Sequence, residues 1–154
     1  MTKRFAAAAL TAASLFLSTA AFAGDCAPAG GEKQVAIRLQ AWFDAMASDD
    51  AKSWNQIVDP TFYAFDANRR LDGNALFELL KQAHGAGIKV AWRLDEIDVH
   101  IDCATAWFSL MNKGAVGDSS GTQPMMWQES GIFNYVQGQW KLRFFHSNRV
   151  QQKN

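Results

Sequence analysis

Near its C-terminal end the sequence reads QGQWKLRFFHSNR, residues 137–149. Taken in twos, Trp140, Leu142, Phe144 and His146 fall on one side, and Lys141, Arg143 and Ser147 on the other. Such alternation marks a strand with one face in a core. That apolar face ends in an imidazole, which could serve as a base, a pocket donor or a core residue with a partner. The preceding segment, 125–136, is also a strand, and Gln137-Gly138 suits a tight turn. A turn of two or four residues places Tyr135 opposite Trp140, Phe133 opposite Leu142, Gly131 opposite Phe144 and Glu129 opposite His146. A three-residue loop would set Phe133 against Lys141, a poorer match. One face then carries Trp127, Glu129, Phe133, Tyr135, Trp140, Leu142, Phe144 and His146. The other is mostly polar but includes Ile132 and Phe145. Burial lowers an imidazole's pKa and a neighbouring carboxylate raises it, so a His146–Glu129 pair can do general acid–base work. The same two groups can instead satisfy each other at the end of a sheet.

Other chemistry is sparser. His84 falls in the last turn of a helical segment, where a cation suits the helix dipole. His100 stands beside Asp98 on the polar face of a strand and suits a surface or an interface. The chain has six Trp and eleven Phe, most of them needed for a core. Tyr63, Trp92, Trp127 and Tyr135 combine an apolar body with a polar tip, so with Phe144 they are the expected lining of a ligand pocket. No metal site is expected, because the three histidines are scattered and there is no CxxC pair. No Gly-rich phosphate loop or nucleophile motif is present, so no cofactor is expected. Fifteen basic residues balance fifteen acidic ones, and Arg69-Arg70 is only a pair. That balance excludes the basic patch a nucleic acid would need.

The elements that must position these residues begin after a leader. Lys3 and Arg4, an apolar run from Phe5 to Phe16 and the small residues of AFA read as a secretory signal peptide over residues 1–23, cleaved after Ala23. The run is too short for a confident membrane span, so no stable membrane anchor is expected. The expected location is periplasmic or secreted. Residues 24–31 form a loose leader, and residues 32–150 suit one domain. An oxidising compartment permits a disulfide between Cys26 and Cys103, which would tie the leader to the sheet.

Val35, Leu39, Trp42, Phe43 and Met46 make one stripe of a first helix. A short second helix follows, capped by Asp49 or Asp50 and stopped by Pro60. TFYAFD, 61–66, is a short strand, ANRRLDG turns the chain, and Asp72 caps a third helix running to about His84. From there the chain is β. KVAWRL is a strand, and DEIDVHID and ATAWFSLMN form a hairpin across Asp102-Cys103, with Ile97 opposite Phe108 and Val99 opposite Ala106. GAVGDSSGTQP, 114–124, reads as a loop long enough to be a flap.

Helices first and long strands last is an α+β pattern. This order, with AWFDAMASDD on the first helix, LDG before the third and the closing ESGIFNYVQGQWKLRFFHSNR, resembles the nuclear-transport-factor-2-like superfamily, in particular its SnoaL-like and ketosteroid-isomerase-like domains. The closing segment is also similar to the association domain of calmodulin-dependent kinase II. The resemblance implies a cystatin-like cone: three N-terminal helices packed on a strongly curved antiparallel sheet, with a pocket at the open end. It also implies a homodimer paired through the outer sheet face, where Trp107 stands among polar residues.

The isomerase mechanism does not carry over. It needs a Tyr on the first helix, and the only tyrosines are Tyr63 and Tyr135. Asp44 and Asp66 sit where a helix exposes a polar residue and where a strand ends. Three readings stay open. The chain is an exported domain binding a small, partly apolar ligand, or an isomerase- or lyase-type enzyme using His146 and Glu129, or an interaction module whose pocket is filled by its own side chains.

Overall fold

The computed structural model describes residues 26, 27 and 30–151. The expected signal peptide, 1–23, and part of the expected leader lie outside the described residues. The three helices are α1 (Gly31–Ala47), α2 (Ala51–Ile57) and, after two strands, α3 (Gly73–Gly85). The stripe of α1 is buried as its spacing requires, and Trp54 and Ile57 of α2 and Leu76 and Phe77 of α3 join it. Asp50 caps α2 by accepting from the Lys52 and Ser53 N–H groups, and Asp72 caps α3 by accepting from the Ala75 N–H at 2.8 Å.

Seven strands follow or intervene: β1 (Val58–Asp66), β2 (Arg69–Asp72), β3 (Lys89–Ala91), β4 (Leu94–Asp102), β5 (Thr105–Asp118), β6 (Gly121–Val136) and β7 (Gln139–Arg149). They form one sheet in the order β2-β1-β7-β6-β5-β3, with β4 also paired to β5. The sheet is mixed rather than wholly antiparallel, because β1 runs parallel to β7. These two strands are joined by most of the chain and not by a hairpin, so nothing forces them to oppose.

The helices cover one face, here called inner. Trp42 sits at the centre, its ring 4.6 Å from that of Phe145, 4.9 Å from Phe43 and 5.6 Å from Trp54. Phe108, Phe133 and Leu142 close the sheet side of this core. Full burial of side chains this large is worth roughly 2–3 kcal/mol each.

Two sequence expectations are corrected. Residues 114–124 are no flap, since β5 and β6 pair without a break from Thr105–Asn134 to Asp118–Gly121. The glycine that suggests a loop serves close approach instead: a Cβ at Gly114 would collide with the Ala91 carbonyl oxygen of β3. The β4–β5 register differs by two residues, with Val99 opposite Phe108 and Ile101 opposite Ala106. A shift of two leaves each side chain on its own face. The turn itself falls at Cys103, whose φ of 50° is left-handed. Cys103 is disulfide-bonded to Cys26, and the Ala27 N–H donates to the Cys103 carbonyl at 3.1 Å.

Candidate functional site: a buried carboxyl behind a polar cavity

The site is built by the register of three strands. Along β6 and β7, Tyr135 pairs with Trp140 and Phe133 with Leu142, as the alternation requires. The next pair is Ile132 with Phe144, so Arg143 is an extra residue on β7, a β-bulge. Beyond it every assignment changes face. Gly131 pairs with Phe145, Ser130 with His146 and Glu129 with Ser147. Phe145 turns inward and is buried, while Phe144 and His146 turn outward.

The expected His146–Glu129 pair therefore does not form. The two side chains lie on opposite faces of the sheet, and His146 is exposed. Two contacts fix the bulge. The Arg143 guanidinium donates to Asp59 Oδ1 at 2.8 Å, and Gly131 has no side chain where the Phe108 ring and the Phe144 carbonyl approach.

Glu129 points inward and is 5% exposed. It is held by two neutral donors: Asn112 Nδ2 at 3.1 Å to Oε2, and Ser147 Oγ at 3.1 Å to Oε1. Asn112 is fixed in turn, because its Oδ1 accepts from the Arg93 N–H at 3.0 Å. Burial pushes the Glu129 carboxyl up to about 7; the two hydrogen bonds oppose this, and the negative charge of Asp66 adds to it. A carboxyl at this value is half-protonated near neutral pH and can give or take a proton.

Asp66 follows from the same geometry. Ala64 of β1 lies beside Phe145 of β7 on the inner face, so two residues on, Asp66 and Ser147 come next. Burial raises the Asp66 carboxyl above its ordinary value, against the Ala67 N–H bond and the charges of Arg69 and His146. Asp66, Ser147 and Glu129 thus form a row across β1, β7 and β6. A cavity of about 820 Å³ opens at that end of the sheet. Its walls are Asp66, Ala67 and Asn68 of the β1–β2 turn, Pro124 to Trp127 of β6 and Ser147 to Gln151 at the end of the chain's described part. Ser147 belongs to both, lining the cavity and donating to Glu129 behind it.

Of the five expected lining residues, only Trp127 borders this cavity. Tyr63 and Phe144 pack together on the outer face, ring centres 5.1 Å apart. Trp92 lies against Phe43, and Tyr135 against Trp140 at the other end of the sheet. The expectation of an aromatic-lined pocket is corrected, since the centre between helices and sheet is filled by Trp42, Phe43, Phe108 and Phe145. Asn112 and Ser147 carry the site without having been singled out. An Asn at an inward position of a strand was the available signal.

On the outer face, Tyr63, Phe144, Ile132 and Trp107 stand side by side across β1, β7, β6 and β5. Trp107 is 47% and the adjacent Phe65 45% exposed. His100 stacks on Trp107 at 5.3 Å and bonds to Asp98 at 3.0 Å. Among the described residues, no group of three or more His, Cys, Asp or Glu side chains is close enough to hold a metal ion. No described helix is long and apolar enough to cross a membrane.

No family model and no curated protein matches the sequence. Solved structures do match. The CaMKII hub of S. rosetta superposes over 80% of this chain and 99% of its own, with a TM-score of 0.67 and 21% identity. A protein of Streptomyces avermitilis from the NTF2-like family, described as a candidate dehydratase, covers 78% of this chain and 96% of its own, with a TM-score of 0.68 and 14% identity. The chain has the NTF2-like fold. An uncharacterised Caulobacter vibrioides protein with a cystatin-like fold agrees, at a TM-score of 0.64 and 14% identity over 79% of this chain and 90% of its own. At these identities the likeness is one of fold, which hosts many activities, so the function of this chain rests on its own site.

Proposed function

We propose that this NTF2-like chain is an exported domain that binds a small ligand in the cavity beside Asp66 and Ser147, with Glu129 as the buried anchor, and that it works as a homodimer. One observation carries the reading: a carboxyl shut away from water, held only by neutral donors, one hydrogen bond behind a cavity wall. Such burial is unfavourable for stability and is characteristic of sites that use the group. Asp66, Asn68 and Arg149 offer polar contacts, while Trp127, Met125 and Met126 offer apolar ones, so a polar ligand with a modest apolar surface fits.

The signal-like N-terminus and the Cys26–Cys103 bridge support export to an oxidising compartment. The outer row of Tyr63, Phe144, Ile132 and Trp107 supports pairing of two sheets, because an exposed apolar strip of this kind is characteristic of an interface.

A thermal-shift screen of small polar metabolites on the mature protein tests ligand binding. A compound that raises the wild-type Tm and leaves Asp66→Asn unmoved supports the site. No shift from any compound, together with native mass spectra free of bound small molecules, contradicts it.

The second reading is an isomerase- or lyase-type enzyme, favoured by the Glu129 value near 7. Glu129 is then the proton carrier, with Ser147 its link to the cavity and His146 without a role. In that case Glu129→Gln abolishes turnover of an identified ligand while leaving its binding within about threefold. Equal turnover in the two proteins excludes it.

A further inference from the structure

A second reactive arrangement lies away from this site, where the α1–α2 turn meets the end of α3. Asp49 Oδ1 and His84 Nδ1 are 2.9 Å apart, joining residues 35 positions distant in sequence. The His84 side chain is 16% exposed and that of Asp49 33%, so the bond is partly buried. Asp49 adopts a φ of 53°, the left-handed position that ends α1, where its N–H donates to the Met46 carbonyl. Both side chains line a cavity of about 460 Å³, whose other walls include Ser48, Ile88, Lys89 and Val90. Ser48 Oγ donates to the Asp44 carbonyl at 2.7 Å and so is not free to act as a nucleophile. His84 Nε2 makes no hydrogen bond among the described residues.

We propose that Asp49 and His84 form a general-base dyad that hydrolyses small acyl esters in this cavity. The chemistry follows from the contacts. A carboxylate on Nδ1 fixes the tautomer with the proton there and leaves Nε2 as the acceptor. Nε2 takes a proton from a water, and the water oxygen bonds to the acyl carbon. The ester C–O bond then breaks, and the departing oxygen recovers the proton from the imidazolium. The products are an acid and an alcohol, with no other reactant needed. Ile88, Val90 and Ala47 suit a short acyl chain, and Lys89 supplies positive charge for the developing oxyanion. His84 is the catalytic residue, and Asp49 is a positioning residue. This activity is independent of ligand binding beside Asp66.

The test uses the full mature protein and p-nitrophenyl acetate. General-base catalysis typically contributes 10²–10⁴-fold, so His84→Gln is expected to lose at least about tenfold of the rate above buffer. His146→Gln, which removes an exposed imidazole, is expected to keep the wild-type rate. Asp49→Asn is expected to lower kcat with KM unchanged. A solvent deuterium isotope effect of about 2–3 is expected in the wild type, because a proton is in flight in the rate-limiting step. Nitrogen-15 NMR of the histidine rings gives a second readout that survives poor folding of any variant. The wild-type His84 signal is expected at the Nδ1–H tautomer, shifting toward the other tautomer in Asp49→Asn. Hydrolysis by His84→Gln at the wild-type rate, or a wild-type His84 protonated at Nε2 instead, would overturn the proposal.

Discussion

Replacing Glu129 by Gln should remove a pH dependence that the wild-type fold carries. The Glu129 carboxyl has an ordinary value of 4.5 and is pushed to about 7 in the folded chain. The folded state therefore binds the proton more tightly than the unfolded state between these two values. Stability contributed by this group is full below about pH 4.5 and is lost as pH rises through 7. At 1.36 kcal/mol per pKa unit, the loss reaches about 3 kcal/mol at pH 8.5, consistent with a carboxyl that is almost wholly buried and so little screened. Glutamine keeps the shape and an oxygen for Asn112 or Ser147, whose hydroxyl can turn to accept. The two proteins should therefore be nearly equal at pH 5, and the variant more stable by about 3 kcal/mol at pH 8.5, or about 10 °C in Tm. Urea unfolding at four pH values between 5 and 8.5, with the disulfide intact, gives the difference directly. Asp59 and Asp95, whose hydrogen-bonded carboxyls lie below their ordinary values, add an acid-side loss common to both proteins, so it cancels. A wild-type-minus-variant difference that stays flat with pH would show that burial does not raise the Glu129 carboxyl.

Three further outcomes are expected. Cys103→Ser opens a covalent loop spanning 77 residues, and the chain-entropy model puts its cost at about 4.5 kcal/mol, read as a lower denaturation midpoint that reductant produces in the wild type but not in the variant. Gly131→Ala forces a Cβ to within 2.6 Å of the Phe144 carbonyl and 2.7 Å of the Phe108 ring, so calorimetry should find a loss of about 2 kcal/mol, and an unchanged Tm would contradict the close approach at the bulge. Trp107→Asp places a charge in the outer apolar row, and sedimentation at micromolar concentration should change from dimer to monomer; a monomeric wild type would remove the dimer altogether.

Much of the fold was legible because burial has a period. The stripe of α1, the caps Asp50 and Asp72 and the inward faces of β4 to β7 near their turns all follow from local spacing. Failure began at Arg143. Alternation assumes one residue on each strand per step, and a bulge breaks that count without altering composition. The clue was the misfit: Phe145 on the polar side of the uninterrupted pattern. Moving Phe145 inward buries an aromatic ring against Trp42, and that gain favours the bulge over perfect alternation. The same shift sends His146 out and sets Ser147 beside Glu129. Glu129 was legible as an inward carboxyl, but its partner depended on the bulge. Asn112 was hidden because its role is to bond a residue 17 positions away in sequence. The glycines of 114–124 misled for a related reason, since glycine marks both turns and close backbone contacts, and only the position of β3 distinguishes them.

The proposed ligand site is the inner-face row of Asp66, Ser147 and Glu129. The direct test is a crystal structure of the mature protein, purified from its native source with nothing added. Density for a small molecule is expected against Asp66, Ser147 and Trp127, with Glu129 bonded to Asn112 and Ser147 behind it. A cavity holding only water, with the Ser147–Glu129 bond broken and Glu129 turned out to solvent, would contradict it.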